Sequence, residues 1–157
     1  MPDKTIRIGL ISDTHNLVRP AAMHALAGVD RILHAGDICR PEVLAELGAI
    51  APLVAVRGNN DHGPWVKSMQ GTAAIEIGGV SIYMLHDLSE LDLDPGAAGF
   101  RVVISGHTHR PSVVEKNGVL FVNPGSAGPR RFRLPISLAI LEITARAARA
   151  RLLTLGN

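Results

Sequence analysis

The sequence predicts an α/β fold in which two β-sheets pack together and helices lie outside them. Three observations lead to this prediction. The first half of the 157-residue chain alternates buried strands with short helices, the second half contains glycine-turn hairpins, and polar motifs follow the strands. Alternation of strand and helix implies parallel strands with right-handed crossovers. We expect one domain over residues 1–157, because a chain of this length can bury a sizeable core.

Three strands and two helices are predicted in the first half. The apolar runs at residues 6–11, 31–35 and 53–56 are typical of buried strands. Residues 20–27 and 41–48 are predicted helices, because each begins with a proline and glycine marks the end of each. The resulting β-α-β-α-β order predicts that the three strands run parallel.

The second half is predicted to be mostly β-structure. The predicted strands are residues 72–77, 80–85, 102–105, 112–115 and 119–122. A Gly-Gly pair separates the first two strands and an Asn-Gly pair separates the last two, and both pairs are typical hairpin turns. These turns predict two hairpins with a buried strand between them in the sequence.

The C-terminal segment, residues 136–155, carries conflicting signals. Its alanine and arginine content favours a helix. Residues 137–143 nevertheless alternate weakly between apolar and polar side chains, and they could pair with residues 147–153. We predict a terminal hairpin.

Composition places the chain among soluble globular proteins. Apolar residues make up 46% and charged residues 19%. The net charge of +2 is too small to imply nucleic-acid binding, and 3% aromatic residues offer no platform for stacking single-stranded bases. We therefore do not expect a nucleic-acid partner. Arginines cluster near the C-terminus, and we interpret them as a solvated surface; the alternative is that Arg130 or Arg131 meets an anionic substrate.

The sequence suggests a cytoplasmic protein. Cys39 is the one cysteine, so it cannot form an internal disulfide, and this fits a reducing compartment. The apolar run at residues 6–11 is shorter than the core of a signal peptide. We also expect no membrane span, because no stretch approaches the roughly 20 apolar residues that a span needs.

Five polar motifs follow predicted strands and suggest a two-metal site. They are Asp13-Thr14-His15, Gly36-Asp37, Gly58-Asn59-Asn60-Asp61, His86 and Gly106-His107-Thr108-His109. Open α/β sheets place ligands at the carboxyl ends of their strands. Hard divalent metals such as Mn²⁺ take carboxylate, carbonyl and imidazole ligands, and two such ions about 3.5–4 Å apart can clamp a phosphoryl group. A purely structural role is a poor explanation, because so many polar groups are costly to bury.

The motif series resembles the calcineurin-like metallophosphoesterase superfamily, whose pattern is D-x-H, G-D, G-N-x-D/E, H and G-H-x-H. Finer features resemble its YfcE-type branch of small phosphodiesterases. They are Ile11-Ser12-Asp13-Thr14-His15, His34-Ala35-Gly36-Asp37-Ile38, Val56-Arg57-Gly58-Asn59 and Asn123-Pro124-Gly125-Ser126. The likeness extends from residue 8 to about residue 143. It implies a four-layer α/β/β/α sandwich of two mixed β-sheets flanked by helices.

The resemblance also implies a binuclear metal centre and its ligands. Those of the first ion would be Asp13, His15, Asp37 and His109, and those of the second Asp37, Asn59, His86 and His107, with Asp37 bridging. A hydroxide between the ions would attack phosphorus. The residues expected at the reacting phosphate are Asp37, Asn59, Asn60 and His107. We expect Mn²⁺ as the metal, with Ni²⁺, Co²⁺, Fe²⁺ and Zn²⁺ as alternatives.

Two positions depart from the superfamily pattern. Phosphomonoesterases of the superfamily carry histidine where this chain has Asn60, whose amide cannot titrate near pH 7. We therefore expect weak protonation of the leaving group and a preference for aryl phosphodiesters. The second departure is Asp87, where relatives usually have glycine. It begins an acidic stretch, residues 87–94, which we interpret as a solvated loop or helix start; repulsion of anions or an extra carboxylate near the metals are the alternatives.

These observations predict a divalent-metal-dependent phosphodiesterase acting on small phosphodiesters. Cyclic nucleotides, aryl diesters and nucleic-acid ends all remain open as substrates. The alternatives are a phosphomonoesterase or a non-catalytic interaction scaffold on the same fold, and the resemblance makes a homodimer plausible. Around the site, we expect His34 to be buried and hydrogen-bonded, Asp61 to brace the turn before it, and residues 123–126 to buttress the metal site or to bind phosphate through backbone N–H groups.

Overall fold

The computed structural model describes residues 4–156, and these form two five-stranded mixed β-sheets. The strands are β1 (Ile6–Ile11), β2 (Arg31–His34), β3 (Leu53–Ala55), β4 (Thr72–Ile77), β5 (Val80–Leu85), β6 (Val102–Ile104), β7 (Ser112–Lys116), β8 (Val119–Asn123), β9 (Ser137–Thr144) and β10 (Ala147–Thr154). The helices are α1 (Pro20–Ala25) and α2 (Pro41–Gly48), with 3-10 turns at Pro64–Ser68 and Leu88–Glu90. The predicted strands and helices all form, with ends shifted by at most two residues.

The first sheet has the strand order β10-β9-β1-β2-β3. Strands β1, β2 and β3 run parallel, as the β-α-β-α-β pattern predicts, and β9 pairs antiparallel with β1. Both α-helices begin at a proline, which is suited to the first helical turn because its missing N–H has no partner there. The parallel pairing brings the carboxyl ends of β1, β2 and β3 to one edge of the sheet.

The second sheet has the strand order β4-β5-β6-β8-β7. Both predicted hairpins are present: β4 pairs antiparallel with β5, and β7 with β8. Their two-residue turns place Gly78, Gly79, Asn117 and Gly118 at positive φ, which the twist of a tight hairpin requires. Strands β5, β6 and β8 run parallel, so their carboxyl ends also share one edge.

The C-terminal segment forms the predicted hairpin and not a helix. Strands β9 and β10 pair from Ser137↔Thr154 to Thr144↔Ala147. The turn residues Ala145 and Arg146 both have positive φ although neither is glycine, so the turn carries no clear sequence signal. Pairing of β9 with β1 outweighs the helix preference of alanine and arginine, because it buries both faces of β9. Leu141 packs in the cluster between the sheets, and Ile140 packs in the cluster beneath the helices.

Three apolar clusters hold the layers together. The largest lies between the sheets, where Leu10 of β1 and Ile104 of β6 are fully buried. A second cluster packs the two helices on the first sheet through side chains such as Leu47. A third covers the outer face of the second sheet around Tyr83, beneath residues 88–100. The structure confirms the predicted sandwich of two mixed β-sheets with outer layers. In the described residues, α-helices form the outer layer on the first sheet, whereas one 3-10 turn and irregular chain form the outer layer on the second. In residues 4–156, no helix is long and apolar enough to cross a membrane.

Candidate metal centre

The predicted ligands meet at the carboxyl ends of five strands. Asp13 and His15 follow β1, Asp37 follows β2 and Asn59 follows β3 on the first sheet. From the second sheet, His86 follows β5, and His107 and His109 follow β6. The two sheets therefore face each other across one site, with carboxylates mainly from the first sheet and imidazoles mainly from the second.

Two carboxylates form the centre of the site. Asp13 Oδ1 lies 3.4 Å from His109 Nε2 and 3.8 Å from the Nε2 atoms of both His15 and His86. Asp37 Oδ2 lies 3.4 Å from His86 Nε2 and 3.6 Å from His15 Nε2. Two groups have ligand atoms close enough to share an ion: Asp13, His15 and His109, and Asp13, Asp37 and His86. The site can therefore hold a divalent cation, and its two groups overlap at Asp13.

The remaining two predicted ligands lie on the outer side of the site. His107 Nδ1 is 3.2 Å from Asn59 Oδ1. The side chain of His107 is 41% exposed, whereas that of His109 is buried. The structure thus places an amide oxygen and an imidazole together where the site opens to solvent, while the two aspartates lie below them.

Buried ligand atoms lack hydrogen-bond partners in the described part of the chain. They are Asp13 Oδ1, His15 Nε2, His86 Nε2 and His109 Nδ1. A buried polar atom without a partner costs about 1–3 kcal/mol, and more if it is charged. A bound cation removes this cost for atoms that can act as ligands. Carboxylate, imidazole and amide groups suit divalent metals such as Mn²⁺, so the donor set fits the expected ions.

The backbone at the ligands is strained. Asp13, His15, Asp37, His107 and His109 all have positive φ, between 43° and 72°. Such conformations are unfavourable for residues other than glycine, and they concentrate at functional sites. We attribute them to sharp turns at the strand ends that direct the side chains into one crevice.

Glycines allow the loops to approach the carboxylates closely. A Cβ atom on Gly58 would overlap the backbone and side chain of Asp37. A Cβ atom on Gly106 would overlap Asp13 and Ser12 in the same way. The glycines that precede the ligands in the sequence motifs are thus required by close packing around the two aspartates.

The electrostatics favour ionised carboxylates beside imidazoles. Burial alone would raise the pKa of Asp13, but the contact with His109 Nε2 at 3.4 Å and the charge of His86 outweigh burial and hold that pKa below its ordinary value. Burial opposes ionisation of Asp37 as well, yet contacts with His86 and Asn60 hold its pKa far below the ordinary value. The pKa of His86 is raised because the two aspartates overcome the effect of its burial. The ionised aspartates therefore make the candidate metal centre suited to binding a cation.

Asp61 braces the loops that carry Asp37 and Asn59. Its carboxylate accepts the backbone N–H groups of Asp37 at 3.0 Å, Ile38 at 2.8 Å, Cys39 at 2.7 Å and Gly58 at 2.8 Å. Asp61 is 4% exposed, so these bonds are shielded from water. The structure confirms the expected bracing role, and it extends the role from one turn to two loops.

His34 supports the first loop from within the sheet. Its Nδ1 accepts the N–H of Gly36 at 3.0 Å, so its Nε2 carries the proton and donates to Thr14 Oγ1 at 3.0 Å. Burial is the main cause that lowers the pKa of His34 to about 4. As expected, His34 is a buried, hydrogen-bonded group that contacts the residue between Asp13 and His15.

The loop after β8 buttresses the site, as expected. Asn123 Nδ2 donates to Gly106 O and to Thr108 Oγ1, both at 3.1 Å, and so fixes the turn between the two histidines of that loop. Ser126 Oγ donates to Asp13 O at 3.0 Å. The arginine-rich segment farther along this loop is exposed, and Phe132 within it is 88% exposed.

Asn60 contacts Asp37 twice. Its backbone N–H donates to Asp37 Oδ1 at 2.9 Å, and its side-chain Nδ2 donates to Asp37 Oδ2 at 2.9 Å. The amide that replaces the histidine of phosphomonoesterases therefore supports the carboxylate expected to bridge the ions.

Two further residues contact the site: Asp87, for which a carboxylate near the metals was the alternative to a solvated loop or helix start, and Cys39, for which no contact was predicted. Asp87 Oδ2 lies 3.7 Å from His107 Nε2, while its Oδ1 caps the 3-10 turn at Leu88–Glu90 by accepting from Ser89. Asp87 is thus both a helix start, as expected, and a carboxylate beside a candidate ligand. Cys39 Sγ is 3.6 Å from His15 Nδ1, and burial and then nearby aspartates raise its pKa to about 11, so it is a protonated thiol. In the sequence, the position of Asp87 directly after His86 was the signal that could have indicated this contact.

Comparison with known proteins assigns the family. Residues 6–146 match the model of the calcineurin-like phosphoesterase superfamily domain. The chain is 33% identical to a protein of Methanothermobacter thermautotrophicus named "Probable metallophosphoesterase", over 95% of this chain and 92% of that protein. The chain belongs to the calcineurin-like phosphoesterase superfamily, and the sequence resemblance is confirmed.

Solved structures share the fold. A structure described as a novel archaeal phosphodiesterase superposes with a TM-score of 0.76 and 26% identity, covering 94% of this chain and all of that one. Vacuolar protein sorting 29 from Cryptosporidium parvum superposes with a TM-score of 0.78 and 22% identity, covering 99% of this chain and all of that one. The fold and the family together indicate a phosphoesterase with a metal-binding site.

Proposed function

We propose that this protein is a divalent-metal-dependent phosphodiesterase that hydrolyses small phosphodiesters. The observation that carries the proposal is the buried group of carboxylates and imidazoles at the strand ends, whose ligand atoms lack hydrogen-bond partners in the described residues. Membership of the phosphoesterase superfamily supplies the reaction class.

The chain offers ligands for two ions. Those of the first would be Asp13, His15, Asp37 and His109, and those of the second Asp37, Asn59, His86 and His107. When bound, two divalent ions lower the pKa of water between them, and they neutralise charge on the phosphoryl oxygens. We propose Mn²⁺ as the metal, because oxygen and imidazole donors without a thiolate suit it.

The protein's own groups would orient the reaction. Asp61 and Asn60 hold the loop and the carboxylate of Asp37 through hydrogen bonds at 2.8–3.0 Å. The exposed side chain of His107 lies next to Asn59 at the opening, where a phosphoryl group can reach both. These contacts fix the groups before the substrate arrives, and such preorganisation lowers the barrier to reaction.

Diesters are favoured over monoesters for two reasons. Asn60 cannot donate a titrating proton to a leaving group near pH 7. The archaeal phosphodiesterase that shares this fold is 26% identical to the chain. We propose small phosphodiesters in the cytoplasm as substrates in preference to nucleic acid, because the chain offers few aromatic residues for stacking bases. A homodimer remains a proposal from the resemblance.

Hydrolysis of bis-p-nitrophenyl phosphate by chelator-stripped protein, with and without Mn²⁺, tests the proposal. We expect turnover that requires Mn²⁺ and falls to background in Asp37→Asn. The matched control is Asp30→Asn, the same change at an exposed aspartate that accepts the backbone N–H of Arg7. Faster turnover of p-nitrophenyl phosphate would favour a phosphomonoesterase. No turnover with Mn²⁺, Co²⁺ or Ni²⁺ would favour the scaffold alternative.

A further inference from the structure

A pocket of about 400 Å³ opens beside the candidate metal centre. His86 and Asn59, both predicted ligands of the second ion, line the pocket as well as the centre. A phosphodiester bound at the centre carries one ester group that leaves and one that stays. The pocket is therefore positioned to receive the ester group that stays on phosphorus.

The pocket is lined mainly by acidic charge. Asp87, Glu90 and Asp92 contribute three carboxylates from the segment after β5, and Arg57 contributes one guanidinium. Glu90 and Asp92 are exposed and have no ion-pair partner within 4.0 Å among residues 4–156. Arg57 donates to Met69 O at 3.3 Å. The carboxylates outnumber the guanidinium by two, so the pocket attracts cations.

Two further residues shape this pocket. His86 separates it from the centre: the residue is 6% exposed, and its Nε2 lies 3.4 Å from Asp37 Oδ2 on the side of the centre. Tyr83 contributes an aromatic side chain to the lining, held against Phe100 with ring centroids 5.1 Å apart. Aromatic rings and carboxylates together are a chemistry that recognises alkylammonium groups.

We propose that this acidic pocket, defined by Asp87, Glu90, Asp92 and Tyr83, selects phosphodiesters whose second ester group carries an ammonium. The proposal rests on the phosphodiesterase function and specifies its substrate class. The same charges would repel a substrate that carries a second phosphate in place of the ammonium.

A pair of substrates that differ only in charge tests the selection. One is p-nitrophenyl phosphorylcholine, and the other is p-nitrophenyl 3,3-dimethylbutyl phosphate, in which carbon replaces the quaternary nitrogen. Hydroxide displaces p-nitrophenolate from both, so leaving-group chemistry is identical. We expect kcat/KM for the cationic ester to be about tenfold higher at low ionic strength, and the ratio to shrink as NaCl is added. A ratio near one in an enzyme that turns over both esters would overturn the proposal.

Charge-neutral variants assign the selection to the pocket. In Glu90→Gln/Asp92→Asn, the ratio of kcat/KM for the cationic ester to that for its carbon analogue should fall towards one. The matched control is Glu76→Gln/Glu115→Gln, which removes the same charge at exposed positions outside the pocket. A ratio that survives in the first variant, or falls equally in the control, contradicts the proposal.

Binding measurements separate failure of the pocket from failure of the enzyme. Phosphocholine and 3,3-dimethylbutyl phosphate are the corresponding products, and calorimetry on the Mn²⁺-loaded protein compares their affinities without turnover. Tighter binding of phosphocholine in wild type but not in Glu90→Gln/Asp92→Asn supports the pocket even if bis-p-nitrophenyl phosphate is not hydrolysed. Equal affinities for phosphocholine and 3,3-dimethylbutyl phosphate in wild type would overturn the pocket proposal, even if the protein hydrolyses bis-p-nitrophenyl phosphate.

Discussion

The two ring nitrogens of His107 lie beside oxygen atoms of two different side chains. Asp87 Oδ2 is 3.7 Å from Nε2, and Asn59 Oδ1 is 3.2 Å from Nδ1. The backbone N–H and the hydroxyl of Ser89 donate to the other carboxylate oxygen of Asp87, and these bonds hold the Asp87 side chain in place. A carboxylate beside one nitrogen of an imidazole helps to orient the ring. Asp87 is therefore placed to orient the ring of His107, whose Nδ1 lies beside Asn59.

Replacement of Asp87 should weaken binding of the metal ion proposed to be held by His107. We expect Asp87→Ala to lower Mn²⁺ affinity about tenfold at that proposed site, because loss of such an outer carboxylate typically costs 10–100-fold. Isothermal titration of chelator-stripped protein measures both affinities. Glu90→Gln, on the same 3-10 turn, serves as the control and should bind Mn²⁺ like wild type. Two unchanged affinities in Asp87→Ala would show that Asp87 serves only the turn.

The sequence predicted the strands that position the site but not every contact within it. Runs such as residues 6–11 are apolar except for Arg7, and their short length and β-branched residues favour a buried strand over a helix. Asp87 was harder to place, because an acidic residue in an acidic stretch is usually solvated. Its approach to His107 depends on how β5 and β6 pair, and this is a tertiary relationship that local patterns do not encode.

Asp61 should contribute strongly to stability. Each of its oxygens accepts two backbone N–H groups: Oδ1 those of Ile38 and Cys39, and Oδ2 those of Asp37 and Gly58. Asp61→Asn would turn an amide NH₂ towards two of these donors. We expect the free energy of unfolding of metal-free protein to fall by about 3 kcal/mol, because buried donors lose charged acceptors.

Urea denaturation in the presence of a chelator measures this effect. The control is Asp30→Asn, where one exposed carboxylate accepts one backbone N–H at 2.8 Å. The control should lose at most about 1 kcal/mol, since exposed hydrogen bonds are easily replaced by water. Equal losses in both variants would mean that the four bonds of Asp61 act no more strongly than one surface bond.

His34 should remain neutral well below the pH at which ordinary histidines titrate. Its folded pKa is lowered to about 4 from 6.5, chiefly by burial. Because the folded pKa is depressed, the unfolded state binds more protons between these two values. The contribution of neutral His34 to the free energy of unfolding is thus fully present above pH 6.5. It declines as the pH falls towards 4, by about 3 kcal/mol in total.

The His34 prediction needs a residue-specific measurement. His86 has the opposite effect on the free energy of unfolding. Its folded pKa is raised, so protonated His86 stabilises the protein at low pH, and this contribution is lost as the pH rises. We therefore expect long-range ¹H–¹⁵N spectra of metal-free protein to show His34 protonated at Nε2 and unchanged down to about pH 5, with the titration midpoint near 4. A midpoint near 6.5 would contradict the effect of burial, and a neutral ring protonated at Nδ1 would contradict the assigned tautomer.

The terminal hairpin shows a second limit of sequence analysis. Alanine and arginine favour a helix locally, and the turn at Ala145 and Arg146 lacks a glycine or asparagine. Only the weak alternation of residues 137–143 indicated a strand. The decisive interaction is the pairing of β9 with β1, which lies far away in the sequence. Similarly, the ligand motifs identified the metal centre, whereas the acidic pocket became visible only when β4, β5 and the following loop were assembled.

The rate of hydrolysis should depend more strongly on the acidity of the leaving group than in an enzyme with a general acid at this position. Asn60 has an amide that already donates to Asp37 at 2.9 Å, and it cannot protonate a departing alkoxide. General acids typically contribute 10²–10⁴-fold to a rate. We therefore expect aryl diesters with acidic phenols to react at least about 100-fold faster than alkyl diesters. Rates along a series of aryl and alkyl diesters with Mn²⁺ measure this dependence.

Asn60→His provides the converse experiment. An imidazole at this position can supply a proton, so hydrolysis of the alkyl diester should increase relative to bis-p-nitrophenyl phosphate, whose leaving group needs no proton. The aryl substrate is an internal control, because damage to the metal site would slow both reactions equally. A similar rate for alkyl and aryl diesters in wild type would mean that another group protonates the leaving oxygen, and that Asn60 serves only to hold Asp37.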